Sequence, residues 1–367
     1  MSERPAAGTA FERIARRISL QGPITVGDFM AEALAHPQGG YYATRDPLGA
    51  AGDFITAPEV SQMFGELLGL WCADTWAAQG SPAPLRLVEL GPGRGTLMAD
   101  ALRAAKLAPG FLDAVDVHLV EISPALREKQ HAALAAYAPS WHNDLQSLPG
   151  GPALFLANEF FDALPIRQFR KEAGAWREIL VGLEADGAGL VFVLGEPLPA
   201  SAAPVPRRLR DAPEGAVAEM SPVAEAMMDE LARRIAAEGV AALVIDYGNA
   251  LPAGAPSLQA LRRHQRHEVL DDPGSADLTA HVDFHALAEV ARRAGAQPHG
   301  PVGQGEFLKS LGIETRAQTL KRTAGPRQQQ DIDSALHRLT DAGQMGTLFK
   351  VMAVAPADAP MPAGFAE

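Results

Sequence analysis

The sequence has a single cysteine, Cys72, so no disulfide can form within the chain. No apolar run reaches the length of a membrane span. The first residues mix Glu with Arg and have no long apolar core, so neither a signal peptide nor a transit peptide is expected. Basic residues are outnumbered, 32 to 44, which leaves a net charge of −12. A phosphate-backbone partner is therefore disfavoured, while a basic protein partner remains compatible. Together these absences point away from a secreted disulfide scaffold, a membrane-inserted protein and a nucleic-acid binder. They predict a soluble protein of a reducing compartment. No repeat of solenoid period is present.

What is present suits a globular enzyme-sized chain. Hydrophobic residues make up 47% and charged residues 21% of 367 positions, enough for a sizeable core. The 35 glycines and 29 prolines predict long connecting segments. Residues 8–80 read as helical with an irregular middle: a glycine-rich loop at 39–53, then a helix over 57–78 opened by a Thr56…Glu59 capping box. Strand and helix then alternate: strand 86–90, helix 95–105, strand 116–121, helix 124–136, strands 139–142 and 153–157. That alternation predicts a mostly parallel sheet with helices on both faces. Short strands at 166–169, 176–181 and 190–194 read as an antiparallel insertion. A helix over 222–237, a strand at 242–246, helices over 283–294 and 314–340, and a last strand at 346–355 complete the chain. The domain boundaries expected are 1–80, 81–164, 165–240 and 241–367: a helical extension and possible lid, a cofactor core, a substrate-side insertion, and the rest of the core.

Leu87-Val-Glu-Leu-Gly-Pro-Gly-Arg-Gly95 is an apolar strand ending in an acid and feeding three glycines at alternate positions. A second apolar run ends in Glu121. A glycine loop followed by an acid after the next strand is the layout of a nucleotide-type cofactor site. A dinucleotide fingerprint would place its last glycine at position 96, which is Thr96. The spacing of Gly91, Gly93 and Gly95 instead resembles the first motif of class I S-adenosylmethionine methyltransferases. On that reading the loop meets the cofactor's amino-acid end and ribose, and Glu121 accepts from both ribose hydroxyls. Ile122 lies beside it, Asp144 meets the adenine amino group, and Glu89 orients the loop or the ammonium.

Further blocks narrow the class. They are Gly52-Asp-Phe-Ile-Thr-Ala-Pro-Glu-Val-Ser-Gln-Met-Phe-Gly65, Asn158-Glu-Phe-Phe-Asp-Ala-Leu-Pro165, Asp246-Tyr-Gly248, Asp277-Leu-Thr-Ala-His-Val-Asp-Phe284 and Gly303-Gln-Gly-Glu-Phe-Leu308. With the glycine loop and Glu121-Ile-Ser-Pro124, they closely resemble the MidA family, which includes a mitochondrial complex I assembly factor. The resemblance runs from about Phe11 to about Val354. It implies an α/β class I methyltransferase fold with an N-terminal helical extension and an inserted α+β region. It also implies S-adenosyl-L-methionine as cofactor and symmetric dimethylation of arginine on a subunit of the NADH:quinone oxidoreductase, with a homodimer as a possible state.

A guanidinium is always protonated and a poor nucleophile, so acids must grip it and localise its charge. Glu159 and Asp162 follow the strand at 153–157, where open α/β sheets bind ligands. They are the candidate catalytic residues, with Asn158 near the methyl donor. A turn-capping role for Asp162 and a solvated position for Glu159 are the alternatives. Asp246 and Tyr247 could border the acceptor channel. His264, His267, His281 and His285 match no metal-ligand spacing, so no metal is expected. The basic run 262–267 reads as solvated surface. Two other functions fit the same residues: an assembly chaperone with little turnover, and a small-molecule N- or O-methyltransferase.

Overall fold

The computed structural model describes residues 8–44, 56–199, 202–249 and 254–365. Asp53 and most of the loop expected as a lid lie outside the described residues. The chain divides into two compact units. One comprises residues 1–54, 163–224 and 252–281; the other comprises 55–162, 225–251 and 282–367.

The second unit is built on a central sheet. Counted along the chain, its strands are β1 Leu85–Leu90, β2 Val115–Val120, β3 Ser140–His142, β4 Ala153–Asn158, β5 Val240–Asn249, β6 Ala296–Gly303 and β7 Phe349–Pro356. Their order across the sheet is β6-β7-β5-β4-β1-β2-β3, and an eighth short strand, Val282–Asp283, pairs β5 in parallel off this path. The β1–β5 pairs are parallel; only β7 runs antiparallel, to both β5 and β6. β1, β4 and β5 are near-continuous apolar runs because helices cover both faces, and their residues are almost all buried. The chain leaves β1 toward β2 and β3, then returns to β4 on the other side. This reversal is a topological switch point, the place where such sheets bind ligands.

Most covering helices follow from sequence; the short helices Phe111–Ala114, Gln304–Ser310 and Met345–Leu348 do not, and the last of them occupies the start of the strand expected over 346–355. Helix Gln62–Ala78 lies so close to helix Thr96–Ala105 that a Cβ at Gly69 would sit 2.2 Å from the Ala101 carbonyl oxygen. Ser123 caps helix Pro124–Leu134 as expected. The helix expected over 57–78 is broken at Ser61, whose extended backbone (ψ 140°) ends Ala57–Val60 and whose hydroxyl caps the longer piece. The Thr56…Glu59 capping box does not form: Thr56 makes no side-chain cap bond, and Glu59 is engaged elsewhere. The stretch 314–340 is two helices, Ile313–Lys321 and Pro326–Thr340, separated where Gly325-Pro326 restarts the second. Strand β6 has no counterpart among the expected strands. Pro298 and Pro301 mask it, and they are tolerated because β6 is an edge strand.

The first unit holds helices Ala10–Gln21 and Val26–Ala35, each opened by a capping box at Thr9 and Thr25. Strands Arg167–Glu172, Ala175–Leu183 and Leu190–Leu198 form the antiparallel insertion, with Val217–Met220 and Ile24–Thr25 added. Ile14, Phe29, Met30 and Val181 fill its core. A separate hairpin, Gln259–Arg262 with Gln265–His267, carries the basic run at an exposed turn.

Candidate active site

At the switch point β1 ends in Glu89-Leu90 and the chain turns through the glycines. Gly91, Gly93 and Gly95 all hold left-handed backbone, φ 60°, 55° and 81°, where a side chain would be strained. The turn is closed by Gly95 N–H donating to the Pro92 carbonyl and Gly91 N–H to the Val120 carbonyl. A Cβ at Gly91 would lie 2.8 Å from the ring of Phe160. The loop after β4 therefore packs directly on the glycine loop, and residues 158–162 adjoin the cofactor segment.

Glu89 is buried, 3% exposed. One carboxylate oxygen takes the Met98 N–H, while Oε2 has no partner. Burial first, and then the charge of Glu121, push its pKa up to about 8. Asn158, on the neighbouring strand end, has a second partnerless buried acceptor, Oδ1; its Nδ2 donates to Glu159 Oε1 at 3.2 Å. Two orphaned acceptors at one switch point fit a ligand that brings hydrogen-bond donors.

Glu121 leaves β2 buried, with both oxygens engaged. Oε1 accepts Ser123 N–H at 2.7 Å and Oε2 accepts Gln130 Nε2 at 3.2 Å. Burial raises its pKa, and those donors oppose the rise. Ile122 beside it exposes its side chain, 52%. Asp144 is exposed, and its carboxylate accepts Ser147 N–H, which lowers its pKa.

Glu159 is half-buried in left-handed backbone, φ 50°, and its Oε1 accepts the Ala57 N–H at 3.0 Å. It is not a solvated loop acid. Asp162 is buried. The loop that carries Asp162 is held by Asp246, near the end of β5. Asp246 Oδ2 accepts the N–H groups of Phe160, Phe161 and Asp162 at 3.1, 2.9 and 3.2 Å, and Oδ1 accepts that of Tyr247. The structure thus brings Glu89, the glycines, Glu121, Asn158, Glu159 and Asp162 to adjacent strand ends, with Asp144 on the outer loop after β3. Asp246 acts as the loop's anchor.

Two contacts escaped the sequence. Glu59 Oε1 accepts the Thr96 hydroxyl at 2.6 Å, tying helix Ala57–Val60 to the glycine loop. Gln130 links Glu121 to the Gly93 carbonyl. Its only signal is a polar residue in the apolar stripe Leu126, Gln130, Leu134 of an amphipathic helix. Among the described residues no three His, Cys, Asp or Glu side chains gather as metal ligands.

The family model described as "Putative S-adenosyl-L-methionine-dependent methyltransferase" matches residues 67–302. The chain is 38% identical over 96% of its length to the Xenopus laevis protein named "Protein arginine methyltransferase NDUFAF7, mitochondrial", covering 86% of that protein. It is 39% identical over 93% of its length to the Homo sapiens protein of the same name, covering 82% of it. A crystal structure of a "likely methyl transferase from Burkholderia thailandensis bound to S-adenosyl-homocysteine" superposes with a TM-score of 0.83 at 29% identity, covering 98% of this chain and 95% of that one. The orphaned acceptors, the glycine turn and the strand order agree with these matches: the chain belongs to the MidA family of S-adenosylmethionine-dependent methyltransferases.

Proposed function

We propose that the chain methylates arginine side chains of a protein, and that Glu159 and Asp162 receive the guanidinium. The names carried by relatives at 38–39% identity over most of the chain support the arginine acceptor. The family resemblance further supports symmetric dimethylation, a subunit of the NADH:quinone oxidoreductase as the acceptor protein, the bacterial cytoplasm as the setting and a homodimer as a possible state. No helix among the described residues is long and apolar enough to cross a membrane.

The cofactor residues divide the work. Glu89 takes the ammonium, the glycine loop lies against the amino-acid end and ribose, and Glu121 takes the ribose hydroxyls. Ile122 covers the adenine, Asp144 meets its amino group, and Asn158 stands near the methyl donor. Bound there, S-adenosylmethionine supplies an electrophilic methyl on its sulfonium. The chain's own task is orientation and exclusion of water. Glu159, held by Ala57 N–H and Asn158, grips the guanidinium together with Asp162. Their charge localises the guanidinium's own, leaving one nitrogen with an available lone pair, and they take the proton it releases. The inserted first unit is our candidate for recognising the acceptor protein.

The observation carrying this reading is the placement of two acids and an orphaned Asn158 oxygen on the loop that covers Gly91. The test is transfer of label from S-adenosylmethionine to host proteins, followed by hydrolysis and analysis for symmetric dimethylarginine. Glu159→Gln should lower transfer roughly 10²-fold or more while cofactor affinity holds. Full transfer by that variant would remove Glu159 from the site, and label confined to small molecules would defeat the arginine reading.

A further inference from the structure

Gln130 is fully buried on helix Pro124–Leu134, an expensive position for a primary amide unless all sides are satisfied. Three bonds satisfy it. Its Oε1 accepts the indole N–H of Trp141 on β3 at 2.8 Å. Its Nε2 donates to the Gly93 carbonyl at 2.7 Å and to Glu121 Oε2 at 3.2 Å. The chemistry of the partners leaves one orientation. An indole nitrogen can only donate, and a carbonyl and an ionised carboxylate can only accept. A flipped amide would set donor against donor at Trp141 and acceptor against acceptor at both other partners.

Trp141 is itself held in place. It stacks on His131 of the same helix, with ring centroids 5.9 Å apart and planes at 19°. The amide is thus fixed from outside the cofactor segment, and it joins the two elements that would clasp the cofactor. One is the peptide of the glycine loop; the other is the acid after β2. Glu121 has its other oxygen fixed by Ser123 N–H at 2.7 Å. With both oxygens anchored, and the Ile122 N–H also directed at the carboxylate, its plane is set.

We infer that Gln130, oriented by Trp141, is a positioning residue that aims the Glu121 carboxylate at the ribose hydroxyls of the cofactor and sets its distance from the glycine loop. This rests on the proposed assignment of Glu121 to the ribose. The chain therefore discriminates a ribonucleoside from a deoxyribonucleoside cofactor through a residue that does not touch the cofactor.

The test is a cycle of calorimetric titrations with two probes, S-adenosylhomocysteine and its 2′-deoxy analogue. The wild-type protein should prefer the ribo form by about tenfold or more, the worth of one hydrogen bond to a charged group. In Gln130→Met, affinity for the ribo form should fall by about tenfold while the deoxy form loses little, so the preference collapses. Trp141→Phe leaves Gln130 in place but frees its amide to turn, and should reduce the preference part of the way. A purely structural role would lower the melting temperature and leave the ratio of the two affinities unchanged; that result overturns the inference. If Gln130→Met fails to fold, Trp141→Phe decides by the same ratio. If the wild-type protein shows no preference at all, the ribose assignment of Glu121 has failed, and the inference falls with it.

Discussion

Glu66 and Glu89 are equally shielded from solvent, each 3% exposed, in the same unit. Their surroundings differ completely. Glu66, on helix Gln62–Ala78, is gripped by two arginines. Arg316 reaches it at 2.7 and 2.9 Å and Arg103 at 2.6 Å. Burial alone would raise its pKa, yet these bonds hold it below the ordinary carboxylate value. Glu89 makes no ion pair among the described residues, keeps one oxygen unpartnered, and has its pKa pushed up to about 8. A carboxylate whose charge is balanced within the protein clamps helices together. On the proposed reading, a carboxylate left unbalanced at a switch point is kept for a cation that arrives from outside.

The largest expected effect tests the clamp. Glu66→Ala strips the shared partner from Arg103 and Arg316, whose side chains are 43% and 33% exposed. Because both arginines reach solvent, the cost should stay below the ~3–5 kcal/mol of breaking a fully buried pair. Thermal unfolding should show a large drop in melting temperature, while the folded fraction still binds S-adenosylhomocysteine with near wild-type affinity. A melting temperature unchanged by Glu66→Ala would mean that the two arginines find other partners, and the contrast with Glu89 would fail.

Glu89 should behave in the opposite sense. In the unliganded fold it holds a proton that the unfolded chain has already released. It therefore lowers stability as pH rises from the ordinary value of 4.5 to about 8. A ligand ammonium needs the ionised form, so binding must expel that proton below about pH 8. Affinity for S-adenosylhomocysteine should then rise between about pH 6 and pH 7.5, with up to one proton released per ligand. Glu89→Gln should lose about tenfold in affinity near pH 7.5, flatten both pH dependences and leave the unliganded protein no less stable. Titration in buffers of different ionisation enthalpy measures the proton directly. A pH-independent affinity in the wild-type protein would sink the ammonium assignment.

The part of this contrast that could be read from sequence is the local part. β1, β2, β4 and β5 announce themselves as apolar runs, and three of them deliver an acid within two residues of their ends: Glu89, Glu121 and Glu159. The left-handed glycines are legible because only glycine suits that backbone. The partners are not legible. Glu59 was expected to cap its own helix, three residues from Thr56, but it bonds Thr96, 37 positions away. Asp246 reaches N–H groups 84 to 86 positions upstream. Gln130 meets Gly93, 37 positions back, only because the helix after β2 packs beside the glycine loop. Local propensity decides where strands and turns fall. Which acid is neutralised, and by what, depends on contacts made only after the sheet has closed.

Asp246 gives the finest version of the comparison, and the smallest expected effect. Like Glu89 it is wholly buried, and burial followed by the nearby Glu159 charge raises its pKa well above the ordinary value. Unlike Glu89 it leaves no oxygen idle, since four backbone N–H groups point at it. Those donors, not a cation, are what it serves. Asp246→Asn keeps one oxygen for Phe160, Phe161 and Asp162 and turns an amide nitrogen toward Tyr247 N–H, donor against donor. The loss of that bond is set against removal of the burial cost that raises the carboxyl's pKa. The net change in stability near neutral pH should stay within about 1 kcal/mol. Because the carboxyl is the group that titrates, the variant should also gain stability relative to wild type as pH rises, by the same sign argument as for Glu89. Chemical denaturation at two pH values measures both. If Asp246→Asn costs as much as Glu66→Ala, then the charge itself holds the acceptor loop, and buried acids here cannot be sorted by the partners they keep.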